Sequence, residues 1–237
     1  MQPSYVTPPV PDRPRRFGAL MGDALRRPGG RRAVSVLSLV LFLAGVLMFA
    51  YPVGTDFYSR YRQDQLQGSF NNPGTQQAYA ERTIDVGDGL TLLRIPAIDV
   101  KVLVVEGTTP AALRAGAGHY PGTPLPGEAG NVAIAGHRTT FGRPLNRLDE
   151  VKPGDIATLE TPFAIYTYKA VPAFGGHANP WVVPPSDISV VSQGAGRLLT
   201  LTTCHPKGSA KQRLVMRFAL AGQTAKDVKA TAKTGKP

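Results

Sequence analysis

Cysteine occurs once in the 237 residues, at Cys204, and tryptophan once, at Trp181. A single cysteine excludes an internal disulfide, so in a chain that faces the outside of a cell the thiol has no partner and stays free. Histidine is scarce as well. The four residues are scattered, with no H-E-x-x-H run and no cysteine pair, so neither a metal site nor any cofactor is expected. No internal repeat is visible. The formal charge of +11 is not matched by interleaved basic and aromatic residues, which argues against nucleic acid as a partner.

One long apolar run is present. Ala33 to Tyr51 is an uncharged stretch of 19 residues; at a rise of about 1.5 Å per residue it spans about 28 Å, close to the thickness of a bilayer core. A cleaved signal peptide or a buried core helix are the other readings of such a run. It is long for either, and no A-x-A-like site follows it, so a transmembrane helix is expected over residues 33–53. Residues 1–32 hold seven arginines against two aspartates, four of them (Arg26, Arg27, Arg31, Arg32) just before the span. The positive-inside rule then puts the N-terminus in the cytoplasm and everything after the span outside the cell membrane.

Composition divides the rest. Residues 1–32, rich in proline, glycine and arginine, predict a disordered cytoplasmic tail. Residues 54–80, dominated toward their end by Gln, Asn, Gly and Ser, predict an extracellular stalk. Residues 81–220 predict a single folded domain, because a chain of this size with 42% hydrophobic residues can bury one good core. Residues 221–237, with four lysines and one aspartate, predict a basic flexible tail suited to anionic lipid or cell-wall polymer.

Within 81–220 the apolar runs are short, β-branched and bounded by turn residues: 90–95, 100–105, 132–135, 156–160, 164–171, 198–203 and 214–220. Such punctuation predicts an antiparallel barrel or sandwich. Thr109 followed by Pro110 predicts a short capped helix, residues 144–148 another helical turn, and residues 151–155 a tight turn between strands.

Cys204 ends the run Thr200-Leu201-Thr202-Thr203-Cys204, and Arg213 follows nine positions later. The intervening loop is long enough to join adjacent antiparallel strands, which would bring a guanidinium near the thiol. A thiol is a useful nucleophile in proportion to its thiolate fraction, so it gains from a neighbouring cation or an acid-base group. Arginine stays charged and offers several fixed donors for an oxyanion. His137, at the end of Asn131-Val132-Ala133-Ile134-Ala135-Gly136-His137-Arg138, is placed to protonate a leaving amine. Without that company, Cys204 reads as a buried inert thiol and His137 as a structural or exposed histidine.

Taken together, NVAIAGHR, TLTTC and the downstream Arg213 resemble the sortase family of cysteine transpeptidases, over roughly residues 83–220. Leu93-Arg94-Ile95-Pro96, Gly118-His119-Tyr120-Pro121-Gly122-Thr123 and the Cys-His-Pro after the thiol are most similar to class E enzymes of Gram-positive actinobacteria. The resemblance implies an eight-stranded β-barrel. It also implies transpeptidation at an L-P-x-T-G-like signal, with L-A-x-T-G the variant favoured by class E. Cys204 would be the nucleophile, His137 the general acid/base and Arg213 the oxyanion stabiliser. Tyr120, Thr202 and Thr203 would contact the substrate. The partners implied are secreted proteins carrying a C-terminal sorting signal, an amine on a cell-wall precursor such as lipid II, and the membrane.

Two other readings compete. The strands, stalk and basic tail would serve equally well a non-catalytic barrel that binds cell-wall or surface ligands. An L,D-transpeptidase shares the compartment and the Cys/His logic, but its S-H-G-C context is absent around Cys204. His205 is expected to point away from the thiol by strand alternation. His119 and His177 are expected in loops, and Trp181 either walls a groove or packs its own loop.

Overall fold

A computed structural model of the chain describes residues 28–226. Residues up to Tyr51 and those from Pro52 onward form two units, considered separately below.

Helix α1 (Pro28–Phe70) carries the apolar run in the part that belongs to the first unit. Its apolar window is the one described segment long and apolar enough to cross a membrane, and none of that window is buried. Leu41, Leu47, Met48 and Phe49 are all largely exposed, as a lipid-facing surface requires. The helix begins at Pro28, so residues 28–32 are ordered in it; the remainder of the expected cytoplasmic tail lies outside the described residues.

The described residues of the second unit form eleven strands. In chain order they are β1 (Gly89–Ile95), β2 (Val100–Glu106), β3 (Ala117–His119), β4 (Gly130–Gly136), β5 (Ile156–Glu160), β6 (Ala164–Ala170), β7 (Ala173–Phe174), β8 (His177–Ala178), β9 (Trp181–Val183), β10 (Arg197–His205) and β11 (Gln212–Ala225). Eight of them run β10-β4-β3-β2-β1-β5-β6-β11, and the pairing of β11 back onto β10 closes an eight-stranded barrel. β9 pairs with the first part of β11, and β7 and β8 form a separate hairpin. Short helices complete the fold: α2 (Pro73–Glu81) and α3 (Pro110–Ala115). As the Thr-Pro pair predicts, Thr109 Oγ1 accepts a hydrogen bond from Ala112 N–H at 3.2 Å. Residues 144–147 form turns that lead into a 3-10 helix at Leu148–Glu150. The turn at 151–155 closes with Lys152 N–H donating to Asp155 Oδ2.

Alternation along the strands defines two faces. Leu199 and Leu201 of β10 lie level with Val132 and Ile134 of β4 and with Phe218 and Met216 of β11, and all six are buried in the barrel core. The intervening residues therefore face outward. Asn131, Thr200, Thr202, Cys204, Arg213, Val215 and Arg217 share this outer face.

Two boundaries differ from expectation. Residues 54–80 are helical apart from a turn at residues 71–72, and part of the segment packs on the barrel. Leu66 and Phe70 join a cluster with Leu92, Leu103, Val105 and the alanines of α3. Gln63 Nε2 donates to the carbonyls of Leu103 and Ala115 at 3.0 and 2.8 Å, and its Oε1 accepts from Leu103 N–H at 2.7 Å. The physical reason is spacing: 63, 66 and 70 fall on one helix face, so three anchors suffice within a polar composition. The expected flexible tail also begins late, because residues 221–225 continue β11 and pair with β6; residues 227–237 lie outside the described residues. Phe70→Ala should destabilise the barrel by about 3–4 kcal/mol, as cavity formation at a buried aromatic does, read as a lower denaturant midpoint.

Candidate active site

β10 lies between β4 and β11, so each flank of Cys204 belongs to a different strand. On one side Cys204 is the register partner of Arg213. On the other, β10 and β4 run parallel, with Thr202 opposite Ala135. His137 comes directly after the last residue of β4, so the same register continued two residues on brings it toward Cys204. Period-2 alternation points all three side chains to the outer face. Thr203 Oγ1 donates to Gly136 O at 2.8 Å, which pins the two strand ends together just before the thiol and the imidazole.

The Cys204 thiol is half-buried. Arg213 is half-buried too, and its Nη1 donates to the carbonyls of Ala210 and Gln212, each at 3.0 Å. These bonds orient the guanidinium while leaving its Nη2 and Nε donors for another acceptor. Among the described residues Arg213 has no carboxylate partner, so its charge is not neutralised locally.

His137 packs against Phe141, with ring centroids 5.2 Å apart, and the Arg114 guanidinium of α3 lies 6.0 Å from the same phenyl ring. Burial lowers the imidazole's pKa from its ordinary value, and the positive charge of Arg114 lowers it further. Both effects penalise the imidazolium. The neutral ring that results near pH 7 is the form able to take a proton from a thiol. Arg114→Gln removes one of the two causes, so the His137 titration should move to higher pH, as read from its imidazole proton shifts by NMR.

Arg138, one residue on, faces the opposite way and is buried. Its Nη1 donates to Cys204 O at 3.2 Å and to His205 Nδ1 at 2.9 Å, and its Nη2 pairs with Asp149 Oδ1 at 2.9 Å. The Cys204 backbone is thus held from behind, and His205 points away from the thiol as alternation requires. Nothing in the sequence marks Arg138 for this role except its place beside His137 at a strand end.

The remaining candidates separate. Tyr120 and Thr202 meet on the outer face, their hydroxyls 3.0 Å apart, two residues along β10 from Cys204. Thr203, expected to contact the substrate, has the parity of the core residues Leu199 and Leu201 and donates its hydroxyl to Gly136 O. It ties β10 to β4, on the face opposite to Tyr120 and Thr202. His119 is also not a loop residue. It ends β3, is buried, and its Nδ1 lies 2.7 Å from Glu106 Oε2 while its Nε2 lies 2.8 Å from Thr123 Oγ1, bracing the turn after Tyr120. His177 belongs to the β7–β8 hairpin, where it stacks on Trp181. Trp181 packs with Val183, Val190 and Val215. With Phe174 it covers the guanidinium of Arg217, 4.0 Å from the phenyl centroid, and burial pulls the Arg217 pKa down to about 10. Among the described residues no group of three or more His, Cys, Asp or Glu side chains could hold a metal ion.

A family model for the sortase domain matches residues 93–221. Sortase SrtE1 of Streptomyces coelicolor is 28% identical over 211 residues, which cover 81% of this chain and 58% of that protein, so the chain spans less than two thirds of this relative's length. Among solved structures, the SrtF sortase from Corynebacterium diphtheriae is similar with a TM-score of 0.58 and 27% identity, covering 63% of this chain and 93% of that one. Sortase E1 from S. coelicolor, solved with a tripeptide in its active site, is similar with a TM-score of 0.53 and 32% identity, covering 64% and 95% of the two chains.

Proposed function

The chain belongs to the sortase family, and from that premise we propose that it is a membrane-anchored, class E-like cysteine transpeptidase acting on an L-A-x-T-G or L-P-x-T-G sorting signal. The observation that carries this reading is the register of β10, which sets Cys204 level with Arg213 on one neighbouring strand and brings it toward His137, just past the end of the other, all on one face.

The geometry supports a two-step acyl transfer. Neutral His137 takes the thiol proton as Cys204 Sγ attacks the carbonyl carbon of the signal's threonine. The oxygen of the tetrahedral intermediate gains negative charge, which the free donors of Arg213 offset. The Thr–Gly bond breaks, the departing glycine amine takes the proton from His137, and a thioester to Cys204 remains. An incoming amine, such as that of a lipid II-like cell-wall precursor, then attacks the thioester, loses a proton to His137, and regenerates the thiol. Tyr120 and Thr202, on the same face, would line the path of the signal.

The exposed apolar helix would anchor the enzyme with its N-terminus in the cytoplasm, as the arginines before it favour. Substrate proteins and the precursor amine would then both meet the enzyme on the outer side of the cell membrane. The test is incubation with an L-A-x-T-G peptide and an amine. Cleavage between Thr and Gly with a thioester-mass adduct on Cys204 is expected; an unmodified Cys204 with the peptide intact would favour the non-catalytic binding barrel.

A further inference from the structure

The loop after His137 adopts a conformation that costs free energy by itself. Phe141, Gly142 and Arg143 all have positive φ, at 51°, 75° and 49°. Glycine tolerates this region, but Phe and Arg are strained there. Something outside the loop must hold it.

The holding contacts come from the early part of the α1 segment that belongs to the barrel unit. Asp56 Oδ1 accepts from Gly142 N–H at 3.0 Å, and Asp56 Oδ2 accepts from Arg143 Nη2 at 2.8 Å. One carboxylate thus holds two of the three residues with positive φ. Tyr58 meets the third, with its ring edge-on to Phe141 at 6.5 Å. The helix also approaches closely: a Cβ on Gly142 would lie 2.9 Å from Ser59 Oγ. Beside these contacts, a cavity of about 370 Å³ lined by both polar and apolar side chains lies between helix and loop.

We propose that Asp56 is a positioning residue for the reaction: through Gly142 and Arg143 it keeps Phe141 against His137, and so fixes the imidazole's orientation and its shielding from water. The proposal rests on the functional reading above and deepens it, because it makes the first turns of helix after the apolar run part of the working enzyme. The charged or titratable groups around His137 are Arg114 from α3, Cys204 from β10 and Arg213 from β11; Asp56 and Arg143 act on it through the loop.

The test uses the full chain in detergent micelles, with Asp56→Ala, Arg143→Ala, Phe141→Ala and the Asp56→Ala/Phe141→Ala pair. Loss of the strap should lower kcat about tenfold, within the range a displaced catalytic group produces, while KM for the sorting-signal peptide stays within about twofold. With Phe141 displaced, water returns and the His137 titration, followed by NMR, should move to higher pH. The double variant should be no worse than Phe141→Ala, since both act along one line. Asp56→Asn, which keeps an acceptor for Gly142 N–H, should recover part of kcat. An unchanged kcat and an unchanged His137 titration in Asp56→Ala would overturn the strap while leaving the functional reading intact. The NMR titration needs no substrate, so a chain that cleaved nothing would defeat the functional reading while the strap was still judged.

Discussion

Cys204→Ala is expected to reduce turnover of a sorting-signal peptide by about 10⁴-fold or more, to the level of background hydrolysis, since removing a covalent nucleophile removes the reaction's first bond. The same substitution should leave the fold nearly untouched. The residue is half-buried on the outer face, outside the barrel core, and the bond that holds this part of the chain is made by its backbone carbonyl with Arg138, which alanine retains. Turnover followed by chromatography and a melting temperature measured in parallel separate the two effects. Retained turnover in Cys204→Ala would exclude the thioester route.

Arg213→Ala should cost about 10² to 10³ in kcat, the range seen when one oxyanion donor is removed. Because the charge develops only in the tetrahedral intermediate, kcat and kcat/KM should fall together while KM changes little. Arg213→Lys should recover only part of the loss. The arginine holds its fork in place by giving Nη1 to the carbonyls of Ala210 and Gln212 and still has Nη2 and Nε to offer. A lysine ammonium has three donors on one atom, and bonding the same carbonyls would leave a single hydrogen, poorly aimed. A rise in KM alone would instead make Arg213 a ground-state binding group.

Much of the barrel was legible along the chain because strand formation is partly local. The β-branched runs at 90–95, 156–160 and 198–203 coincide closely with β1, β5 and β10, and the Thr109–Pro110 signal places α3. The short strands were not legible. β3 is three residues, Ala-Gly-His, with nothing β-branched, and forms because β2 and β4 lie on either side of it. The expected stalk hid Leu66 and Phe70, whose partners are in β1, β2 and α3, at least 22 residues away in sequence. In the site, the order His137, Cys204, Arg213 could be read directly, and the inward turn of Thr203 could have been, since Leu199 and Leu201 share its parity.

By itself, then, the chain determined which residues carry reactive groups, where most strands start and stop, and which segment is apolar enough to span a bilayer, because side-chain chemistry, turn propensity and hydrophobic length are properties of neighbours. Only the tertiary structure decided that β10 sits between a parallel β4 and an antiparallel β11, that Thr203 is spent on Gly136, and that Asp56 reaches the loop beside His137 across 86 positions of sequence. Those contacts depend on how the barrel closes, and closure is settled by burying one core from all strands at once, which no local pattern encodes.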